Sequence, residues 1–285
     1  MSYAVQDLLT LLDLEALEQN IYRGTNRDIG SGRVFGGQVL AQALVAAQRT
    51  VDRERVAHSL HGYFILPGEI ATPIVYFVDR LRDGRSFTTR RVTAIQNGRA
   101  IFNMSASFQV VEDGPSHQLE MPDAPPPEEL TSDLDLIRAH ADLIPPALRS
   151  VLTQERPIDF RPVAPVNPFE PEPQEPRRLM WLRAVGEMPP EALANQAVLA
   201  YGSDYGILST ALLPHGLSVY MERLQAASLD HAIWFHRPFR MDEWLLYVMD
   251  SPAASGARGF SRGVIYTRGG ELVASVAQEG LTRLR

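Results

Sequence analysis

The stretch Gln225-Ala-Ala-Ser-Leu-Asp-His-Ala-Ile-Trp-Phe-His-Arg-Pro238 decides how the chain is read, because something like it occurs twice. The earlier copy is Ser59-Leu-His-Gly-Tyr-Phe-Ile-Leu-Pro67. Both contain Ser-Leu, continue through aromatic residues and stop at a proline. Each is rich in β-branched and aromatic residues, which predicts a strand closed by proline. Fifty residues after the serine of each Ser-Leu stands a glutamine, Gln109 and Gln278, towards the end of another apolar run. Two imperfect copies of one supersecondary unit imply a duplicated domain.

Working outward, each copy follows a helical pattern and precedes a run of strands. In the first half the glycine-rich Gly30-Ser-Gly-Arg-Val-Phe-Gly-Gly-Gln38 leads into Val39–Thr50, whose small and apolar residues recur at helical spacing. Its glycines match no full phosphate-loop fingerprint. Strands are predicted at 57–66, 73–82, 87–96 and 100–111, with turns at Asp83-Gly84 and Asn97-Gly98. The second half repeats the order, with opening strands at 158–163 and 179–185 and a helix over 190–213. Strands follow at 226–235, 244–250, 257–267 and 272–281. One helix followed by an antiparallel meander, twice, is an α+β arrangement.

Residues 112–176 hold 14 of the chain's 21 prolines and cannot form a continuous core element. They read as a surface connector with short helices at 134–143 and 146–152. The expected units are 1–112 and 154–285, joined by 113–153. At the N-terminus, residues 1–19 carry leucines interrupted by acids, which predicts an amphipathic helix rather than a signal peptide.

Composition excludes several chemistries. The 285 residues carry a net charge of −7, against a broad phosphate-neutralising face, so no nucleic-acid partner is expected. There is no cysteine, which rules out a thiol nucleophile, Cys-ligated zinc and disulfides. All 27 basic residues are arginine, which rules out Schiff-base chemistry. No apolar run reaches the roughly 20 residues a membrane span needs. A cytoplasmic location is the expectation.

Three polar residues stand where apolar ones belong. Asp204 shares a helical stripe with Leu193, Ala197, Ala200, Tyr201, Ile207, Leu208 and Ala211. Gln278 ends the alternating row Leu272, Ala274, Val276. Ser228 lies on the strand after that helix. Singly, each reads as structural; together they imply a small polar pocket. His58, His61, His231 and His236 flank the repeated strands, with no spacing that reads as a metal site. Arg258 and Arg262, with Arg90 and Arg91 at comparable places, either hold phosphates or form a solvated strand face.

The chain resembles the acyl-CoA thioesterase II family. The likeness rests on Val34-Phe-Gly-Gly-Gln38, His58-Ser-Leu-His61, Phe64-Ile-Leu-Pro-Gly68, Leu81-Arg-Asp-Gly-Arg-Ser-Phe87 and Asp230-His-Ala-Ile-Trp-Phe-His-Arg-Pro238. Ala257-Arg-Gly-Phe260 and Val276-Ala-Gln-Glu-Gly280 extend it. The resemblance implies a double hotdog, two units each with a long helix wrapped by an antiparallel sheet. It implies hydrolysis of acyl-CoA by a water held on Asp204, Ser228 and Gln278, without cofactor or metal, in a homodimer or homotetramer. Serine stands where some members have threonine. Two alternatives keep the fold: an enoyl-thioester hydratase with His58 or His61 as base, and a non-catalytic acyl-CoA-binding protein. The first half has no Asp or Glu between Ile29 and Val51, so one working site per chain is expected, with Ser59 and Gln109 partly echoing Ser228 and Gln278.

Overall fold

A computed structural model describes residues 4–30, 32–144 and 146–285, apart from the side chain of residue 147. The first half contains α1 (Val5–Leu12), β1 (Glu15–Glu18), β2 (Ile21–Gly24), α2 (Gly36–Gln48), β3 (Arg55–Phe64), β4 (Ile74–Asp83), β5 (Phe87–Gln96) and β6 (Arg99–Val110). The connecting stretch carries α3 (Asp133–Ala139) and α4 (Pro146–Leu152). The second half contains β7 (Ile158–Pro162), β8 (Arg177–Ala184), α5 (Ala192–Ser203), α6 (Ile207–Thr210), β9 (Leu224–Ser228), β10 (Asp230–Phe235), β11 (Leu245–Ser255), β12 (Arg258–Thr267) and β13 (Leu272–Leu284).

All the strands join one antiparallel sheet in the order β1-β2-β4-β5-β6-β3-β10-β13-β12-β11-β8-β7, with β9 paired to β13. Read outward from the β3–β10 junction, the two halves have the same order. In each, the strand after the helix sits beside the last strand of a three-strand meander. This is the double hotdog. The junction pairs Tyr63 with Asp230 and Ser59 with Trp234, so the halves share a continuous ladder and leave no free edge between them.

Helices α2 and α5 lie against each other inside the curve of the sheet. From Gly37 to Ala47, α2 is buried throughout, and its alanines let α5 approach closely. The two run antiparallel, so the N-terminus of α2 meets the C-terminus of α5. Gln42 on α2 is paired at both ends of its amide: Tyr76 donates to Gln42 Oε1 over 2.6 Å, and Gln42 Nε2 reaches Leu11 O at 2.8 Å.

Three expectations need correction. The N-terminal helix ends at Leu12, and Glu15–Glu18 is a strand; Asn20, at φ 62°, turns it into β2. Its residues 1–3, and Ser31 of the glycine-rich entry, lie outside the described residues. The helix expected over 190–213 stops at Ser203. Gly206 takes φ 85°, a left-handed conformation, and separates α5 from α6. The strand expected over 226–235 breaks at Leu229, whose carbonyl turns to Phe64 N–H at 2.9 Å.

The connector does more than span a gap. Pro125 accepts from Trp181 Nε1 at 2.8 Å, and Met121, Ala124 and Leu130 cover Trp181, Trp244 and Leu246 on the sheet's outer face. Further on, Ile137, Ile144 and Leu152 form their own small core with Leu148, Phe169 and Tyr220. No described helix is long and apolar enough to cross a membrane.

Candidate active site

Asp204 caps the C-terminus of α5, the end where a helix least favours negative charge. The opposing helix compensates: Gly37 N–H, at the start of α2, donates to Asp204 Oδ2 over 2.8 Å. Close approach demands glycine twice. A Cβ on Gly36 would fall 2.7 Å from Asp204 Oδ2, and one on Gly37 would fall 2.4 Å from Tyr201 O. The Gly36-Gly37 pair is therefore where two helices from different halves touch.

Gln278 reaches the same place from β13. Its Nε2 donates to Ser228 Oγ over 2.6 Å, and its side chain lies near enough to Asp204 to favour the carboxylate. The carboxylate fixes the amide's orientation, since the amide oxygen would be repelled by it. That oxygen instead accepts from Nδ1 of His231 over 2.7 Å. His231 is fully buried, with Ser203 Oγ at 2.9 Å from its Nε2. Its Nδ1 stands 3.8 Å from Asp204 Oδ1. The structure thus gathers Asp204, Ser228 and Gln278 into one network.

Burial sets the electrostatics. It pushes the Asp204 carboxyl above the ordinary aspartate value, while His231, Gly37 N–H and Gln278 pull the other way. It pushes His231 below its ordinary value, so the ring is neutral near pH 7 with its proton on Nδ1. Asp204 and Ser228 open onto a cavity of about 1260 Å³. Its walls are largely apolar, with Val34, Phe64 and Phe102 from the first half and Ile137, Leu148 and Leu152 from the connector. The connector was expected only to link the halves; it closes one side of the cavity.

The other candidates lie elsewhere. Arg90 is buried, held by Thr50 Oγ1 at 2.8 Å, by backbone carbonyls and by Asp83, which removes it as a phosphate ligand. Arg91 pairs with Asp79, Arg258 with Glu279 and Arg262 with Asp250, all on the sheet's outer face. None of the four lines the cavity. His58 bonds Ser107 Oγ at 2.8 Å and His61 pairs with Asp230 at 2.9 Å, again away from it. By sequence, His231 stands among the histidines beside the repeated strands and is not joined to Asp204, Ser228 and Gln278; the structure places it in their network. Its signal was the same as that of Gln278, a polar side chain between apolar neighbours on a buried strand.

The ladders also settle which first-half residues correspond to the site. The pairs Arg91–Asp79 and Arg262–Asp250 occupy the same place in each meander. One step from Arg262 and Arg91, Ser261 faces Gln278 and Arg90 faces Ala106. Two steps further on in each half, Gly280 faces Ser228 and Phe108 faces Ala57. The counterparts of Gln278 and Ser228 are thus Ala106 and Ala57, not Gln109 and Ser59. The residue capping α2 is Arg49, in the place of Asp204.

Residues 25–109 match the family described as Acyl-CoA thioesterase N-terminal domain, and residues 148–281 match Acyl-CoA thioesterase. The chain is 40% identical to acyl-CoA thioesterase 2 of Haemophilus influenzae over 99% of both chains. It is 40% identical to human acyl-coenzyme A thioesterase 8, over 97% of this chain and 88% of that one. Among solved structures, an acyl-CoA thioesterase II of Mycobacterium marinum is 43% identical, with TM-score 0.80 over 99% of both chains. A hot dog fold protein of Alicyclobacillus acidocaldarius, 19% identical with TM-score 0.78 over 100% of both, shares the fold.

Proposed function

The chain belongs to the acyl-CoA thioesterase II family, and from that premise we propose that it hydrolyses fatty acyl-CoA to a free acid and CoA, using a water activated by Asp204, Ser228 and Gln278. The observation that carries this is the buried Asp204 at the cavity wall, wired to Gln278 and held by an N–H of the opposing helix. In this reading Asp204 takes the water's proton. Ser228, whose oxygen already accepts from Gln278, keeps its own hydrogen to orient that water. The first N–H of α2 belongs to Gly36, which lines the cavity and has no acceptor within its helix, a suitable donor to the developing oxyanion. A thiol leaves as thiolate with a pKa near ~8.5, so strong acid assistance is unnecessary. This fits a chain without cysteine whose cavity, among the described residues, is lined by no histidine.

The same placement speaks against the hydratase alternative, since neither His58 nor His61 lines the cavity. Ala57, Ala106 and Arg49 in the first half support one working site per chain. Release of free thiol from a panel of acyl-CoA chain lengths tests the reaction. An enzyme that only hydrates enoyl-CoA, or binds acyl-CoA unchanged, would release none and end this reading.

The division into units 1–112 and 154–285, with 113–153 between them, is part of the proposal and is supported by the repeated strand order. Glu112, the last residue of the first unit, and Glu120 on the connector are exposed, so a Glu-specific protease should cut there first; first cuts inside the sheet would count against the division. Assembly as a homodimer or homotetramer, in the cytoplasm, completes the proposal. The outer face at the β3–β10 junction exposes Tyr63 and Trp234, surface that a second copy would cover. Light scattering at the single-chain mass would remove the assembly.

A further inference from the structure

Tyr205 follows Asp204 directly, so their Cα atoms are about 3.8 Å apart. The two residues stand in a short joint. Helix α5 ends at Ser203, α6 begins at Ile207, and Gly206 between them is left-handed at φ 85°. The helical ladder is interrupted here, so side chains must hold the joint. The Tyr205 side chain reaches the connector. Its hydroxyl donates over 2.7 Å to Asp133 Oδ2, on the first residue of α3. Arg156 Nη1 donates to the same oxygen over 2.6 Å and also to the Tyr205 hydroxyl, and its guanidinium carbon lies 5.2 Å from the centre of the tyrosine ring. Phe160 on β7 stacks on that ring with centroids 4.3 Å apart. Burial holds the phenol well above its ordinary value, so it keeps the hydrogen that it donates.

We propose that Tyr205 and Asp133 are positioning residues for Asp204: their bond, braced by Arg156, holds the joint after α5 so that the carboxylate stays aimed at its water while an acyl chain fills the cavity. This rests on the hydrolase reading above and adds the connector to the machinery of that site. A buried phenol needs an acceptor, and any nearby backbone carbonyl would serve stability alone. The acceptor comes instead from a residue 72 positions away, on the segment that closes the cavity. Asp133, Arg156, Tyr205 and Asp204 all line that one cavity. Gly37 N–H fixes one oxygen of the carboxylate, which leaves residue 204 able to rock about that bond. Tyr205 supplies a second fixed point, on the backbone side. A base displaced by about 1 Å can lose roughly 100-fold in rate, so the second point matters to turnover.

The test measures kcat and KM on decanoyl-CoA with the full chain, for the native protein, Tyr205→Phe, Asp133→Asn and the double variant, with thermal unfolding recorded for each. Tyr205→Phe keeps the ring and removes only the hydroxyl. It should lower kcat about 10- to 100-fold, with KM within about threefold of native. Asp133→Asn keeps an acceptor but loses its charge, and kcat should fall less, since an uncharged hydrogen bond is about half as strong. The double variant should match Tyr205→Phe alone, because no hydroxyl remains for residue 133 to hold. A native kcat in folded Tyr205→Phe would overturn the proposal. A fall confined to the KM side would do the same, making Tyr205 part of the acyl-binding wall. Two falls that multiply in the double variant would separate Asp133 from Tyr205 and end it too. Should Tyr205→Phe not fold, Asp133→Asn decides by the same split between kcat and KM. Each of these failures leaves the hydrolase reading standing, whereas no thiol from the native protein on decanoyl-CoA or any other acyl-CoA would remove both.

Discussion

The Nδ1–H of His231 donates to Oε1 of Gln278 over 2.7 Å, and with that bond made the Gln278 amide can turn its NH₂ only towards Ser228 and Asp204. His231 touches no reacting atom in this arrangement; it is a positioning residue. His231→Ala should lower kcat about 10- to 100-fold through loss of a charge-adjacent hydrogen bond, with KM little changed. His231→Asn, which keeps an N–H donor, should recover part of the loss. A normal kcat in His231→Ala would show that Gln278 needs no such support.

Removing the proposed base has two opposite consequences. Asp204→Asn should lower kcat by at least about 100-fold. It should also stabilise the fold near neutral pH. The folded-state pKa of Asp204 is raised, so protonation favours folding: its stabilising effect is complete below the unfolded aspartate value and is lost as pH rises through the folded one. Urea titrations at pH 7.5 should therefore show the variant more stable, with the difference closing below about pH 4. A variant less stable at pH 7.5 would contradict the electrostatic account.

The acid limb of the kcat/KM–pH profile should lie above the ordinary aspartate range, because Asp204 must ionise to accept a proton and burial resists that. A limb at the ordinary value would place the base outside this buried network.

Gly36→Ala introduces a methyl 2.7 Å from Asp204 Oδ2 and 3.0 Å from the Phe64 ring. The carboxylate must move, and turnover should fall by about 100-fold, comparable to loss of the base itself. Gly37→Ala meets the fixed backbone oxygen of Tyr201 at 2.4 Å and should appear first as a fall in unfolding temperature. Equal turnover in Gly36→Ala and the native protein would show that Asp204 tolerates displacement.

Ser59→Ala and His58→Ala should each leave kcat within about threefold, in contrast to the effect expected for Asp204. Ser59 pairs with Ser107 on the outer face of the sheet, and His58 bonds the Ser107 hydroxyl. A large loss in either, with the fold intact, would revive a histidine-based reaction.

Elements with strong local patterns were legible. β5 lies at Phe87–Gln96 as its alternation predicts, and Asn97-Gly98 turns with φ 49° and 72° as such a pair should. The conflict of Asp204 and Gln278 with their apolar rows was also visible, because burial of a polar group contradicts periodicity. What stayed hidden depended on partners far along the chain. Nothing local marks Glu15–Glu18 as a strand, since its four residues are all exposed and only its ladder to β2 defines it. The break at Asp204 follows from one glycine inside an otherwise helical pattern. The Ser59–Ser228 match misled because a serine two positions from its structural counterpart looks identical in sequence; only the ladder register separates them. The connector's cavity wall was concealed by prolines that read as a linker.

The bond from Gly37 to Asp204 joins residues 167 positions apart, one from each half of the duplication. Neither half is then an independent inheritance. A second half expressed alone would keep Asp204, Ser228 and Gln278 in its sequence, yet its carboxylate would face solvent where the start of α2 had been. The first half carries alanine at the positions matching Ser228 and Gln278, and what it supplies to the site is a helix end without side chains. Selection on such a chain would act most narrowly on two glycines that perform no chemistry, and a fused tandem would be far harder to undo than it was to form.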